Sequence, residues 1–194
     1  MIPEIKKITK SLSKLQQRQD KVMQLSREVV RLSGESISNM HAKRHREVGR
    51  QLARLKRMIA QLRRMEVGFE YYSMQAHQEY VEAYVLYNII SKGRLPSMRE
   101  LGEGEVSYML GIMDSVGELK RESFEELRSG NLDAARGYYE AMQGIYDSAL
   151  HMRFANSVLP NFRKKQDVAR IQLESTGSEL LRLGGMKKQG RNKL

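Results

Sequence analysis

Apolar side chains recur every three or four positions along most of this chain. After Pro3, a residue suited to a first helical turn, Ile5, Ile8, Leu12, Leu15, Val22 and Val29 follow that spacing, with Gln19 and Ser26 interrupting it. The pattern resumes past Gly34 at Ile37 and Met40, so one helix is predicted from Pro3 to about His41, with a seam for packing against another helix. A second helix, roughly 44–66, carries Val48, Leu52, Leu55, Ile59 and Leu62 on one stripe. Gly68 separates it from a third that ends near Ser91-Lys92-Gly93. A short helix follows Pro96, and others are predicted over about 105–129, 132–155 and from Pro160 to about Leu183. Gly184 to Leu194 reads as a flexible basic tail.

No segment alternates with period two and no hairpin signal stands out. Three prolines, two threonines and an abundance of Leu, Met, Gln, Glu, Lys and Arg favour helix, because unbranched side chains lose little rotamer freedom there. With 194 residues and no Pro/Ser-rich linker, the expectation is a single-domain, all-α bundle of about six to seven helices over residues 1–183. Cysteine is absent, which excludes disulfides, thiolate metal sites and Cys nucleophiles. No apolar run reaches the roughly 18 residues that span a bilayer, and Met-Ile-Pro-Glu-Ile-Lys-Lys lacks the features of a signal peptide. A cytoplasmic protein without membrane partners is expected.

The net charge of +11 points to a polyanionic partner, and its distribution sharpens the reading. Residues 1–66 hold 17 basic and 6 acidic side chains, residues 67–152 hold 7 and 14, and residues 153–194 hold 10 and 3. An acidic middle between basic ends suits a cation-binding centre with polyanion-binding flanks; the alternative is helix faces of differing charge that average out on folding. On the second helix, Lys43, Arg46, Arg50, Arg54 and Arg57 line up at helical spacing. Like charges so placed repel by a few tenths of a kcal/mol per pair, about the size of one attractive pair. A row of phosphates would justify them, a solvated basic face being the bland alternative. The stripe contains no aromatic residue, so backbone rather than base recognition is expected.

Two acidic pairs are the candidate chemistry. Glu79 and Glu82 fall within the strip of the third helix that carries Ala83, Leu86, Ile89 and Ile90. Ionised carboxylates on an apolar strip need a cation, either a metal ion or an Arg or Lys from another helix. Asp114 and Glu118, one turn apart, lie opposite the apolar side formed by Tyr108, Ile112, Val116 and Leu119, a position that by itself suits solvent. Gly111 and Gly117 would let a neighbouring helix approach closely. Together the pairs offer four hard-oxygen ligands of the kind that suit Mg²⁺ or Mn²⁺. A di-iron bundle is excluded because no Glu-x-x-His occurs, and no phosphate-binding glycine loop or hydrolase nucleophile elbow is present.

Gln78-Glu79-Tyr80-Val81-Glu82-Ala83 and Tyr108-Met-Leu-Gly-Ile-Met-Asp114-Ser-Val-Gly-Glu118-Leu resemble the acidic helices of the translin family, closest to its translin-associated factor X branch. Lys21-Val-Met-Gln-Leu-Ser-Arg27-Glu28 and Met40-His41 are similar to that branch's first helix, and Arg153-Phe-Ala-Asn156 and Lys165-Gln-Asp167-Val168 match more loosely. The resemblance implies about seven helices, assembly into a homo-oligomeric, eight-subunit shell around RNA, and a Mg²⁺-dependent endoribonuclease whose acids are Glu79, Glu82, Asp114 and Glu118. Ser115-Val116 replaces the branch's Leu-Thr, and Ala42 stands where an Arg usually follows the His, with Lys43 and Arg44 available as substitutes. The expected RNA-binding set is therefore Lys43, Arg44, Arg46, Arg50, Arg54 and Arg57. A non-catalytic RNA- or single-stranded-DNA-binding oligomer is the alternative.

Overall fold

The computed structural model describes residues 2–191, with side chains through residue 184. Seven α-helices, α1 (Pro3–His41), α2 (His45–Met65), α3 (Glu70–Lys92), α4 (Met98–Leu101), α5 (Glu105–Arg128), α6 (Leu132–Ala149) and α7 (Phe162–Arg191), account for nearly all of it. No strand occurs among the described residues. The chain clusters into two compact units, residues 1–83 and 84–194, and the division falls inside α3 rather than at a linker.

In the first unit α1 and α2 pack against each other through the predicted stripes. Val22, Val29, Leu32, Ile37 and Met40 on α1 are buried, as are Val48, Leu52, Leu55, Met58, Ile59 and Leu62 on α2. Each such side chain contributes on the order of 1.5–3 kcal/mol when fully removed from water. Gly34 does not break α1. The helix passes through it with open space where a Cβ would stand.

The turn between α1 and α2 is tight, and Lys43 occupies it in the left-handed region at φ 56°. Its N–H donates to Met40 O at 2.9 Å and that of Arg44 to Asn39 O at 2.9 Å, closing the end of α1. The basic stripe of α2 thus begins one helical turn later than the sequence spacing gives: Lys43 and Arg44 belong to the turn, not to the helix.

At the far end of α2, Arg18 of α1 donates to Met65 O at 2.9 Å and Val67 O at 2.6 Å. Its guanidinium also lies over the Phe69 ring, 5.3 Å from the centroid. Arg18 therefore marks where α2 stops alongside α1. The preceding part of α1 runs on without α2, and Ile5, Ile8, Leu12 and Leu15 are half exposed on it. The predicted seam is real, but only its C-terminal half is covered within the chain.

In the second unit α5, α6 and α7 pack against one another. The core includes Leu110, Met113, Val116 and Leu119 of α5, Met142 and Ile145 of α6, and Phe162, Ala169 and Leu173 of α7. Gly117 is a close-approach position, as its spacing suggests: a Cβ there would stand 3.1 Å from Gln172 Nε2 on α7. Gly177 on α7 is tighter still, 3.0 Å from Tyr139 Oη of α6. Before α5, Ser97 and Glu100 form a reciprocal cap on α4. Arg94 donates twice to Glu100, at 3.0 and 2.6 Å, and with the Ser97 N–H holds that carboxyl down at about 2.

Two boundaries differ from the sequence expectation. α6 ends at Ala149 rather than near 155, because side chains take over its last carbonyls. Arg153 donates to Leu150 O at 2.7 Å and Met152 O at 2.9 Å, while Gln166 Nε2 donates to Ala149 O at 2.6 Å. α7 continues to Arg191, past the Leu183 at which the apolar spacing fades. The end of the expected tail, residues 192–194, lies outside the described residues.

Candidate functional site

Helix α2 turns its apolar stripe inward and leaves the opposite side to solvent. Arg46, Arg50, Arg54 and Arg57 are all exposed there, as are Lys43 and Arg44 in the preceding turn. Asn39 fixes that turn from within, donating to Gln51 Oε1 at 3.0 Å and accepting from Arg44 at 3.4 Å. Arg54 borders an open groove between α1 and α2 together with Lys21 and Glu28. The outcome is a ridge of guanidinium groups on a rigid helix, the geometry that tracks a phosphate backbone.

Glu79 and Glu82 sit one turn apart on α3 and are partly buried, among fully buried Ala76, Tyr80, Val81 and Ala83. Both carboxylates thus lie along the apolar strip of α3 that the spacing predicts. Both take part in polar interactions.

Asp114 and Glu118 are partly buried on α5, where the helical wheel taken alone would leave them in solvent. The reason is α7, which crosses α5 at Gly117 and brings Lys165 to Asp114: the Lys165 ammonium donates to Asp114 Oδ1. This ion pair is partly accessible, with the side chains 23% and 31% exposed. Sequence reasoning missed Lys165 as the partner of Asp114. The signal was present in Lys165-Gln-Asp167-Val168, but 51 residues separate the two and no spacing rule connects them.

A further acid was also missed. Glu122 continues the α5 row one turn beyond Glu118 and is only 5% exposed, the most deeply buried carboxylate in that row. Burial, with the negative charges of Glu122 and Glu126, pushes the nearby Tyr138 hydroxyl above its ordinary range. The other loosely matched motif is structural: Arg153 caps α6, and Asn156 Oδ1 accepts the Asn161 N–H at 2.7 Å in the turn before α7.

Among the described residues, no group of three or more His, Asp or Glu side chains is arranged to hold a metal ion. Mg²⁺ asks for less than that, since it keeps several waters and takes one or two protein carboxylates. The donor chemistry of each pair fits such an ion, and at Asp114 an ammonium already stands where a cation would be held.

Residues 3–176 match the sequence model of the translin family. The chain belongs to that family. An uncharacterized protein of Methanocaldococcus jannaschii is 31% identical to this chain over 166 residues, which cover 84% of this chain and 74% of that protein. The translin fold is equally plain in solved structures. AfC3PO in complex with duplex RNA is similar with a TM-score of 0.87 at 26% identity, covering 94% of this chain and 97% of that one. Apo-NeC3PO follows with a TM-score of 0.84 at 26% identity, over 94% and 98% of the two chains. For this translin-family chain, no helix among the described residues is long and apolar enough to cross a membrane.

Proposed function

We propose that this translin-family protein binds RNA as a homo-oligomer and cleaves it with the help of Mg²⁺, in the manner of the translin-associated factor X branch. The observation that carries the reading is the pairing of partly buried carboxylates at positions 79 and 82 and at 114 and 118, in a chain that also presents an exposed arginine ridge. Binding of duplex RNA by AfC3PO, a protein of the same fold, supports the choice of nucleic acid. The half-exposed seam of Ile5, Ile8, Leu12 and Leu15 supports assembly, with eight subunits the expected number.

In this reading Arg46, Arg50, Arg54 and Arg57, with Lys43 and Arg44, neutralise phosphates and orient the strand. Glu79 and Glu82 on α3, and Asp114 and Glu118 on α5, would supply the carboxylate oxygens that hold Mg²⁺, Mn²⁺ being an expected substitute. Mg²⁺ held by these carboxylates would supply Lewis acidity, the chemistry that makes a water a better nucleophile and offsets charge at a phosphodiester. The carboxylates themselves would accept hydrogen bonds from an incoming water, and their partial burial limits competing solvent.

A second reading has its own support. The Lys165–Asp114 pair shows that at least one candidate acid is satisfied by the protein itself, as in a non-catalytic RNA-binding oligomer. The experiment is incubation of end-labelled single- and double-stranded RNA with the protein in Mg²⁺, Mn²⁺ or chelator, with the mass followed by light scattering. Internal cleavage that requires divalent metal, by an oligomer, is the expected result. Tight RNA binding with no metal-dependent cleavage on either substrate would select the second reading.

A further inference from the structure

The position of Lys165 is odd for a lysine whose task is to stabilise its own helix. It lies in the first turn of α7, directly after Arg163 and Lys164, and that turn contains no acidic residue. The N-terminus of a helix carries partial positive charge, so three successive cations there act against α7 rather than for it. The backbone around Lys165 is nevertheless firmly set. Phe162, Gln166 and Ala169 are buried on its inner side, its N–H donates to Asn161 O at 3.1 Å, and Gln166 ties the same turn to the end of α6 at 2.6 Å. A rigid base thus delivers one ammonium to one carboxylate on another helix.

That carboxylate is one of the four assigned to the metal. Lys165 already occupies Asp114 Oδ1, and a divalent ion on the same carboxylate would stand within a few ångströms of the ammonium, where the two positive charges repel. The pair is partly open to solvent, so exchange of one cation for the other requires no opening of the core. We propose that Lys165 is an internal placeholder at Asp114, which competes with the divalent cation and sets how much metal is needed to load the site. The placeholder keeps Asp114 compensated when metal is scarce, and metal entry displaces the ammonium while leaving α7 in place.

This inference rests on the metal-site reading above, and the test separates the two. Mn²⁺ alone is titrated by calorimetry and by electron paramagnetic resonance into the wild type, Lys165→Met, Lys165→Gln and Asp114→Asn, with melting temperatures measured beside each. Both Lys165 variants are expected to bind Mn²⁺ about two- to fivefold more tightly, the factor a partly exposed ion pair supplies once it need not be broken. Asp114→Asn is expected to weaken Mn²⁺ binding. Wild type and Lys165 variants of equal affinity, with Asp114→Asn weaker, would overturn the placeholder and leave the metal site standing. Lys165 variants that bind Mn²⁺ more weakly would overturn it too, making Lys165 a residue that orients Asp114. Absence of Mn²⁺ binding by any folded form would remove the metal site and the placeholder together. The Gln variant retains a polar end group and keeps the test open should the Met variant melt early.

Discussion

The His77 Nε2–H donates to Glu66 Oε2 at 2.8 Å, joining the residue that closes α2 to the second turn of α3. Both side chains are nearly buried, at 7% and 14% exposed. Burial alone would raise the Glu66 carboxyl. Hydrogen bonds from His77 and Ser73, with the charges of His77 and Arg63, outweigh it and hold the group below its ordinary 4.5. A carboxyl depressed in the folded state contributes stability that is complete above its unfolded value and is lost as pH falls through the folded one. Glu66→Gln should therefore lower unfolding free energy by about 1–3 kcal/mol at pH 7. The gap between wild type and variant should begin to narrow near pH 4.5, where the unfolded chain takes up its proton, and close as pH falls through the lower folded value. Denaturant titrations at several pH values check this.

The α2 ridge predicts a salt dependence. Each phosphate neutralised on a single strand adds about −0.7 to the log–log slope of affinity against salt. Arg50→Ala combined with Arg54→Ala should flatten that slope by about one to two units with little change in sequence preference. An unchanged slope would assign the ridge to solvent or to a neighbouring subunit.

The two acidic pairs predict a separation of activity from stability. Glu82→Gln and Asp114→Asn should abolish metal-dependent cleavage while RNA binding stays equal or becomes tighter, since each removes a negative charge and keeps the volume. Asp114→Asn breaks a partly exposed ion pair and should cost no more than about 1 kcal/mol of stability. Melting temperatures and RNase assays with and without Mg²⁺ read both quantities. A variant that still cuts RNA near the wild-type rate would remove that residue from the site.

Helix packing predicts a rescue. Gly177→Ala places a methyl group 3.0 Å from Tyr139 Oη and 3.3 Å from its Cζ, so the ring must shift. The change should destabilise by about 1–3 kcal/mol despite the better helix propensity of Ala. Tyr139→Phe removes the nearest atom and should recover part of that loss in the double variant. Thermal unfolding of the four proteins gives the coupling directly.

The helices and their inner faces were legible because burial on a helix repeats with its own period, as Val48, Leu52, Leu55, Ile59 and Leu62 show. Local punctuation was legible for the same reason: Gly93, Gly102 and Gly130 stand in the left-handed region at the ends of elements. Less legible was whatever depends on long-range contacts. The end of α6 was misplaced because Arg153 and Gln166 close it through side chains. On α5 the acidic side looked solvated because a helical wheel contains no information about α7, whose Lys165 and Gln172 lie more than fifty residues away. The arginine ridge needed no such contact. It is a property of one helix, and the sequence spacing located all of it except the turn that holds Lys43 and Arg44.

Helix α1 divides at Arg18 into two stretches with different thermodynamic owners. From Ile2 to Arg18 every side chain is exposed, so no intramolecular burial holds that stretch. A helix of about fifteen residues is marginal in water by itself, since nucleation is unfavourable and few hydrogen bonds follow it. Amide hydrogens of residues 6–17 should thus exchange quickly in dilute protein and slow as concentration rises, while those of residues 22–40 stay protected at any dilution. Trimming the first stretch would leave the remaining fold as stable as before and alter only what the chain associates with. One helix would then report two equilibria, and isotope exchange along its length would measure both in a single sample.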